Sequence, residues 1–170
     1  MRQGCTVRRA QVPEVSDVRR SRVLEESRVP EETQGALRSS ESQGNPYGLP
    51  KAQRADWAHG LGIKTVAEHP NAEYLYFVGC AASYDEANKA VARAFIQLLQ
   101  KAGVDVAILG GAETCNGDPA RRIGNEYLYQ TQAQQNIEAM NAAGGKKVIA
   151  TCPHSFNTIK NEFPQFGCMH

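Results

Sequence analysis

Hydrophobic and polar positions settle into a regular rhythm only in the second half of the chain. "YLYFVG" (74–79) is a short apolar run of the kind that forms a buried strand, and "VDVAILG" (104–110) and "KKVIAT" (146–151) repeat it. Between the first two runs, "SYDEANKAVARAFIQLLQKAG" places Ala87, Val91, Phe95, Leu98, Leu99 and Ala102 on one helical face. Ser83 with Glu86 has the spacing of a capping box for that helix, and Gly103 closes it. Asp118 and Pro119 supply an N-cap and a first-turn proline for a long helix. That helix carries Ile123, Tyr127, Gln130, Ile137 and Met140 as far as Gly144–Gly145, and "PHSFNTIKNEF" is a last helix. The order β-α-β-α-β-α predicts an α/β fold: a three-stranded parallel, Rossmann-like sheet with flanking helices and right-handed crossovers.

The first half reads differently. Residues 1–44 are rich in Arg and Glu, contain no Lys and hold few large apolar side chains, which predicts a charged, helical, partly exposed N-terminal arm. Its first helix is expected to be capped at Ser16 or Asp17, and its second to restart after Pro30. Residues 45–72 form a Gly/Pro-rich connector, ordered because it carries Trp57, Tyr47 and Leu61. His59 and His69 within it read as surface or turn residues. Residues 73–170 make up the α/β domain.

Charge and composition narrow the function. Lys and Arg number 19 against 18 Asp and Glu, so nothing argues for nucleic acid or an anionic membrane. No apolar run approaches the ~20 residues of a membrane span. The N-terminus shows no apolar signal segment, which points to the cytoplasm, where thiols stay reduced. Five cysteines, Cys5, Cys80, Cys115, Cys152 and Cys168, form an odd set at wide spacing, which disfavours a disulfide framework.

The placement of three of them is informative. Cys80, Cys115 and Cys152 each follow a predicted strand and precede the next helix. In an open parallel sheet all strand carboxyl ends lie along one edge, where ligands bind, so the three thiols are expected to meet. Cys152 stands at a helix N-cap ahead of Pro153, where free amide groups favour thiolate. Gly110–Gly111 and Asn116–Gly117 permit the turns that aim Cys115. Three soft ligands suit an iron–sulfur cluster. They equally suit a Cys3His zinc site completed by His154, or thiol chemistry in the same crevice. A ligand-depleted, non-catalytic interaction domain is the third reading. No Gly-x-Gly-x-x-Gly follows a strand, and "GGAETCNG" lacks the lysine of a phosphate loop. Arg121 and Arg122 face either a solvated helix surface or an anionic group.

"YFVGCAASYD", "ETCNGDPARRIGNEYLYQ" and "TCPHSFNTIKNEFPQFG" together resemble the cysteine-rich CCG domain of heterodisulfide reductase B-like iron–sulfur oxidoreductases. The likeness covers residues 73–167 and is strongest to the branch of large membrane-linked members. It implies an iron–sulfur cluster of unspecified type, serving electron transfer in a larger redox assembly. By motif match, Cys80, Cys115 and Cys152 carry over as ligands, and Asp118, Arg121 and Arg122 as motif residues at the cofactor. The pattern departs at Asn116, where the eponymous motif has a second cysteine, and at Ser155, where the closing Cys-x-x-Cys has its last thiol. A serine alkoxide is a harder and rarer ligand, which leaves the fourth site to His154 or an outside group. "GCTVRRAQVPEV" is similar to a ferredoxin motif with only Cys5 retained; Arg8 and Gln11 stand where thiolates are needed, so no cube fits there. The expectation is a fragment or remnant whose partners are another redox subunit or a missing second CCG domain. It would be an oxidoreductase component, not catalytic alone, in the cytoplasm and brought to the inner face of a membrane by those partners.

Overall fold

A computed structural model describes residues 11–167. Cys5, Arg8 and Cys168 lie outside them, and the ferredoxin-like start falls there up to residue 10. The centre of the fold is an all-parallel sheet with β1 (Lys64–Thr65), β2 (Tyr74–Phe77), β3 (Val106–Ile108) and β4 (Lys147–Ala150) in the order β1-β3-β2-β4. The sheet therefore has four strands, not the three expected. The extra one sits in the connector, where Lys64 pairs with Ala107 and Thr65 with Ile108. Two residues, one of them lysine, carry no periodicity, so sequence pattern gives β1 no signal.

From β2 the chain runs through α3 (Gly79–Tyr84) and α4 (Glu86–Lys101) to β3. It then returns through α5 (Asp118–Ile123) and α6 (Glu126–Ala142), past β2, to β4 and α7 (Pro153–Asn157). Crossovers that share a hand but run in opposite directions cover opposite faces of the sheet. Strand alternation shows both faces filled. Leu75, Phe77 and Leu109 pack with Tyr129, Ala133, Ile137 and Phe163 on one side. Tyr76, Val78, Val106 and Ile108 pack with Ala92, Ile96 and Trp57 on the other.

Several helix details differ from expectation. Asp85 caps α4 by accepting the Asn88 amide at 3.0 Å, while Ser83 lies inside α3 and donates to the Gly79 carbonyl. The short α3 takes up the residues that looked like a cap, and it rotates the buried stripe of α4 to Ala92, Phe95, Ile96 and Leu99. Val91 and Leu98 face solvent. The expected long helix is two. Gly117 is the N-cap of α5, Asp118 its first residue, and Gly124 ends it before Asn125 caps α6. Tyr127 and Gln130 are exposed, and α6 buries Leu128, Tyr129, Gln132 and Asn136 instead.

The arm is helical and mostly exposed, as expected, with α1 (Gln11–Leu24) and α2 (Glu31–Gln43). Ser16 and Asp17 lie within α1 and do not cap it, because the helix starts earlier. Pro30 opens α2 with Glu31 and Glu32 in its first turn, complementing the helix dipole. The break at Gly124 has its cause in this arm. Gly124 adopts φ +109°, and a Cβ there would fall 2.5 Å from the Arg19 carbonyl oxygen. Arg19 in turn donates to the Arg122 carbonyl at 2.8 Å, so α1 is seated on the α5–α6 corner. Gly124→Ala is therefore expected to lower stability by more than about 1 kcal/mol in urea melts and to speed proteolytic cleavage within α1. An unchanged cleavage pattern would show that α1 does not depend on this contact.

Candidate metal centre

The carboxyl ends of β2, β3 and β4 form one edge; one crossover leaves β2 for β3, and the next returns past β2 to β4 on its other side. A crevice at such a switch point is the usual ligand position in open α/β sheets. Cys80 occupies the first turn of α3, immediately after Gly79, whose φ is +79°. A Cβ on Gly79 would stand 3.2 Å from Ser155 Oγ and 3.8 Å from Cys152 Cβ. The segments after β2 and β4 therefore touch here, and only glycine allows both the turn and the contact. Cys152 is the N-cap of α7 with Pro153 behind it, as its sequence context predicted.

Cys115 is 2% exposed and held through its backbone. Its N–H donates to the Gly44 carbonyl at 2.8 Å, and its carbonyl accepts from Asn136 Nδ2 at 2.9 Å. Asn136 Oδ1 also accepts the Thr114 amide at 3.1 Å, so one buried side chain pairs with this loop as a neighbouring strand would. All three cysteines are free of disulfides. The Cys115 thiol donates to Asn116 Oδ1 at 3.9 Å. The neighbouring Cys115 thiol, together with the Arg54 guanidinium and against burial, draws the Cys80 thiol down to about 7. Cys115, beside the Cys80 sulfur and buried, is held well above the ordinary thiol value. The Tyr47 phenol is raised by burial and then by the charges of Cys80, Asp85, Cys152 and Cys115.

A buried ion pair that sequence reasoning missed underlies this edge. Arg54 and Glu113 are 2% and 1% exposed and pair at 2.8 Å. Glu113 accepts the Val78 amide at 3.0 Å and the Gly79 amide at 2.8 Å. Arg54 donates to the Thr114 carbonyl at 3.1 Å, and both its terminal nitrogens stand 3.6 Å from Cys80 Sγ. Burial opposes the Arg54 charge, yet Glu113 and Cys80 raise its pKa above the usual value. Nothing in "KAQRADWA" marks Arg54 except the neighbouring Trp57, and the one hint for Glu113 is a carboxylate beside an otherwise uncharged cysteine loop.

The remaining expected residues form a separate cluster. Asp118 binds Arg122 Nε at 2.8 Å and His154 Nδ1 at 3.1 Å. Arg121 lies over the Tyr129 ring and pairs with Glu162 at 2.9 Å, and Arg122 also pairs with Glu162. Arg121 and Arg122 are thus engaged in ion pairs within the C-terminal packing and are neither a solvated face nor turned to the thiols. The His154 side chain is 72% exposed and engaged with Asp118. Of the connector histidines, His59 is exposed, while His69 joins Asp105 at 2.6 Å. Asn116 Nδ2 donates to the buried Ser155 Oγ at 2.9 Å, so the two positions that depart from the cysteine motif meet each other.

The donor set fits a soft, multi-atom group. Cys80, Cys115 and Cys152 stand along one edge, the Arg54 guanidinium lies against Cys80, and Arg54 Nε is buried with no partner among the described residues. Also among the described residues, no three His, Cys, Asp or Glu side chains gather closely enough to close on a single ion.

Residues 74–160 match the family described as "Cysteine-rich domain", CCG, and the chain belongs to that family. It is 42% identical over 161 residues to an EtfAB:quinone oxidoreductase of Syntrophomonas wolfei, covering 92% of this chain and 22% of that protein. It is 41% identical over 170 residues to the probable iron-sulfur-binding oxidoreductase FadF of Bacillus subtilis, covering 96% and 24%. A component of the dihydromethanophenazine:CoB--CoM heterodisulfide reductase of Methanosarcina mazei is 32% identical over 124 residues, covering 71% and 29%. The chain thus spans between 22% and 29% of the length of these relatives. No solved structure matches it. Among the described residues, no helix is long and apolar enough to cross a membrane.

Two outcomes follow from this geometry. Arg54→Met alone leaves the Glu113 charge buried without its partner, and urea denaturation should show a loss of roughly 3–5 kcal/mol, most of it recovered when Glu113→Gln is added. Equal losses for the single and double variants would mean that the pair does not act as a unit. In the reduced, metal-free chain, alkylation of Cys80 should rise with pH through about 7, because the thiolate is the reacting form, while Cys115 stays protected. Mass-spectrometric mapping checks this, and a Cys80 profile centred near 9 would contradict it.

Proposed function

We propose that the chain is an iron–sulfur-cluster-binding electron-transfer module of a larger, heterodisulfide-reductase-like oxidoreductase, with Cys80, Cys115 and Cys152 as thiolate ligands. The observation that carries this is the placement of three cysteines, far apart in sequence, along one edge of a parallel sheet, with a buried arginine against Cys80. It is supported by the names of the relatives, which include an iron-sulfur-binding oxidoreductase and a component of a heterodisulfide reductase. A bound cluster would supply one-electron transfer. The chain's own residues then have distinct tasks. Glu113 and Asn136 fix the loops that present Cys80 and Cys115, and Cys152 stands at the N-cap of α7.

In this reading residues 73–170 are the CCG-like unit, with sheet and crevice used in a Rossmann-like manner. Residues 45–72 are a connector that lends Arg54, and residues 1–44 are an arm. Ser155 is buried and bound to Asn116, so the fourth ligand comes from His154, once released from Asp118, or from outside the described residues. The partner is another redox subunit or a second CCG domain, and the setting is the cytoplasm or the inner face of a membrane reached through that partner. A Cys3His zinc site is the second reading, and the wide spacing of the thiols along the sequence counts against it, since structural zinc more often draws on close pairs.

Anaerobic reconstitution with iron and sulfide should yield brown protein containing both elements in stoichiometric amounts, and Cys80→Ser, Cys115→Ser and Cys152→Ser should each lose most of the absorbance. A colourless chain carrying one zinc would favour the second reading. A folded chain that takes up neither metal would leave only an interaction domain.

A further inference from the structure

We propose that Arg54 is a positioning residue that sets the reduction potential of the metal centre, holding it higher than the three thiolates alone would allow. This deepens the iron–sulfur reading and rests on it. A buried guanidinium that is held in place acts on whatever its donors face. Arg54 is 2% exposed and anchored by Glu113 at 2.8 Å and the Thr114 carbonyl at 3.1 Å. Both terminal nitrogens stand 3.6 Å from Cys80 Sγ. A cation donating to a ligating sulfur withdraws electron density and favours the more negative, reduced state. Hydrogen bonds to sulfur, net charge and solvent exposure are the means by which a protein tunes such centres. In a desolvated crevice the effect is little screened.

The pair with Glu113 does not cancel this influence. Glu113 divides its acceptors between the Val78 and Gly79 amides and Arg54, so much of its charge is already neutralised by backbone dipoles. Of the two side chains, only Arg54 has a donor directed at the sulfur. One donor is still in reserve, because Arg54 Nε is buried and unpartnered among the described residues. A buried N–H without an acceptor is costly, and a sulfide of the bound group is the kind of acceptor that would relieve it.

The two members of the pair therefore shift the potential in opposite directions, which a general loss of structure would not do. The test is an anaerobic, dithionite-poised redox titration of the reconstituted 170-residue chain, followed by absorbance, with iron content and thermal melts measured on the same samples. Arg54→Met combined with Glu113→Gln should remain folded, bind iron as the wild type does, and show a lower midpoint. Glu113→Gln alone should show a higher midpoint, since the arginine charge is then less offset, and Arg54→Lys should fall between the wild type and the double variant. Equal midpoints in all four proteins, or a fall for both Glu113→Gln and the double variant, would overturn the proposal. So would normal potentials accompanied only by loss of iron, which would make Arg54 a residue for assembly. If the wild type itself takes up no iron, the iron–sulfur reading fails first and this inference falls with it. Failure confined to the variants leaves that reading intact.

Discussion

A single buried carboxylate ties together three parts of the chain that are distant in sequence. Glu113, in the loop after β3, accepts two amides from the turn after β2 and a guanidinium from the connector. Bringing these charges out of water costs several kcal/mol per ion unless the geometry satisfies them, and here two amides and an arginine fork supply the compensation. The consequence is positional. The turn that carries Cys80 and the loop that carries Cys115 are fixed against one another, and Arg54 is left with its terminal nitrogens against a sulfur. Ion pair and thiols are parts of one construction.

Topology accounts for the rest. In a parallel sheet every strand delivers its next residues to the same edge, so ligands can be scattered along the chain and still meet. Because β2 lies between β3 and β4 in the sheet, its following turn borders those of both. Cys80 thus has Cys115 as a neighbour and Cys152 beside Gly79. Structural zinc sites more often draw on close pairs of ligands. The family to which the chain belongs is described by its richness in cysteine.

Much of this was legible in the sequence, and the omissions have physical reasons. The three longer strands are apolar on both faces because helices cover both, which leaves a continuous hydrophobic signature. The cysteines were readable because their position after each strand is a topological statement. β1 was invisible since two residues show no period and its pairing is set by β3. The break at Gly124 was hidden because a glycine within a helical pattern is ambiguous until the backbone of the arm is found against it. Asn136 was concealed in a glutamine-rich helix, where a polar residue on the buried face looks like an error of phase. Arg54 was the hardest to anticipate, as a lone arginine in a charged connector is usually solvated and only the fold reveals its carboxylate partner.

The central claim is that Cys80, Cys115 and Cys152 together hold one inorganic group. Anomalous iron scattering from a crystal of the anaerobically reconstituted chain addresses it directly. The account predicts a compact group of iron peaks bounded by those three sulfurs, with Arg54 next to the Cys80 ligand. Iron located elsewhere, or thiols that remain apart with no iron between them, would contradict it.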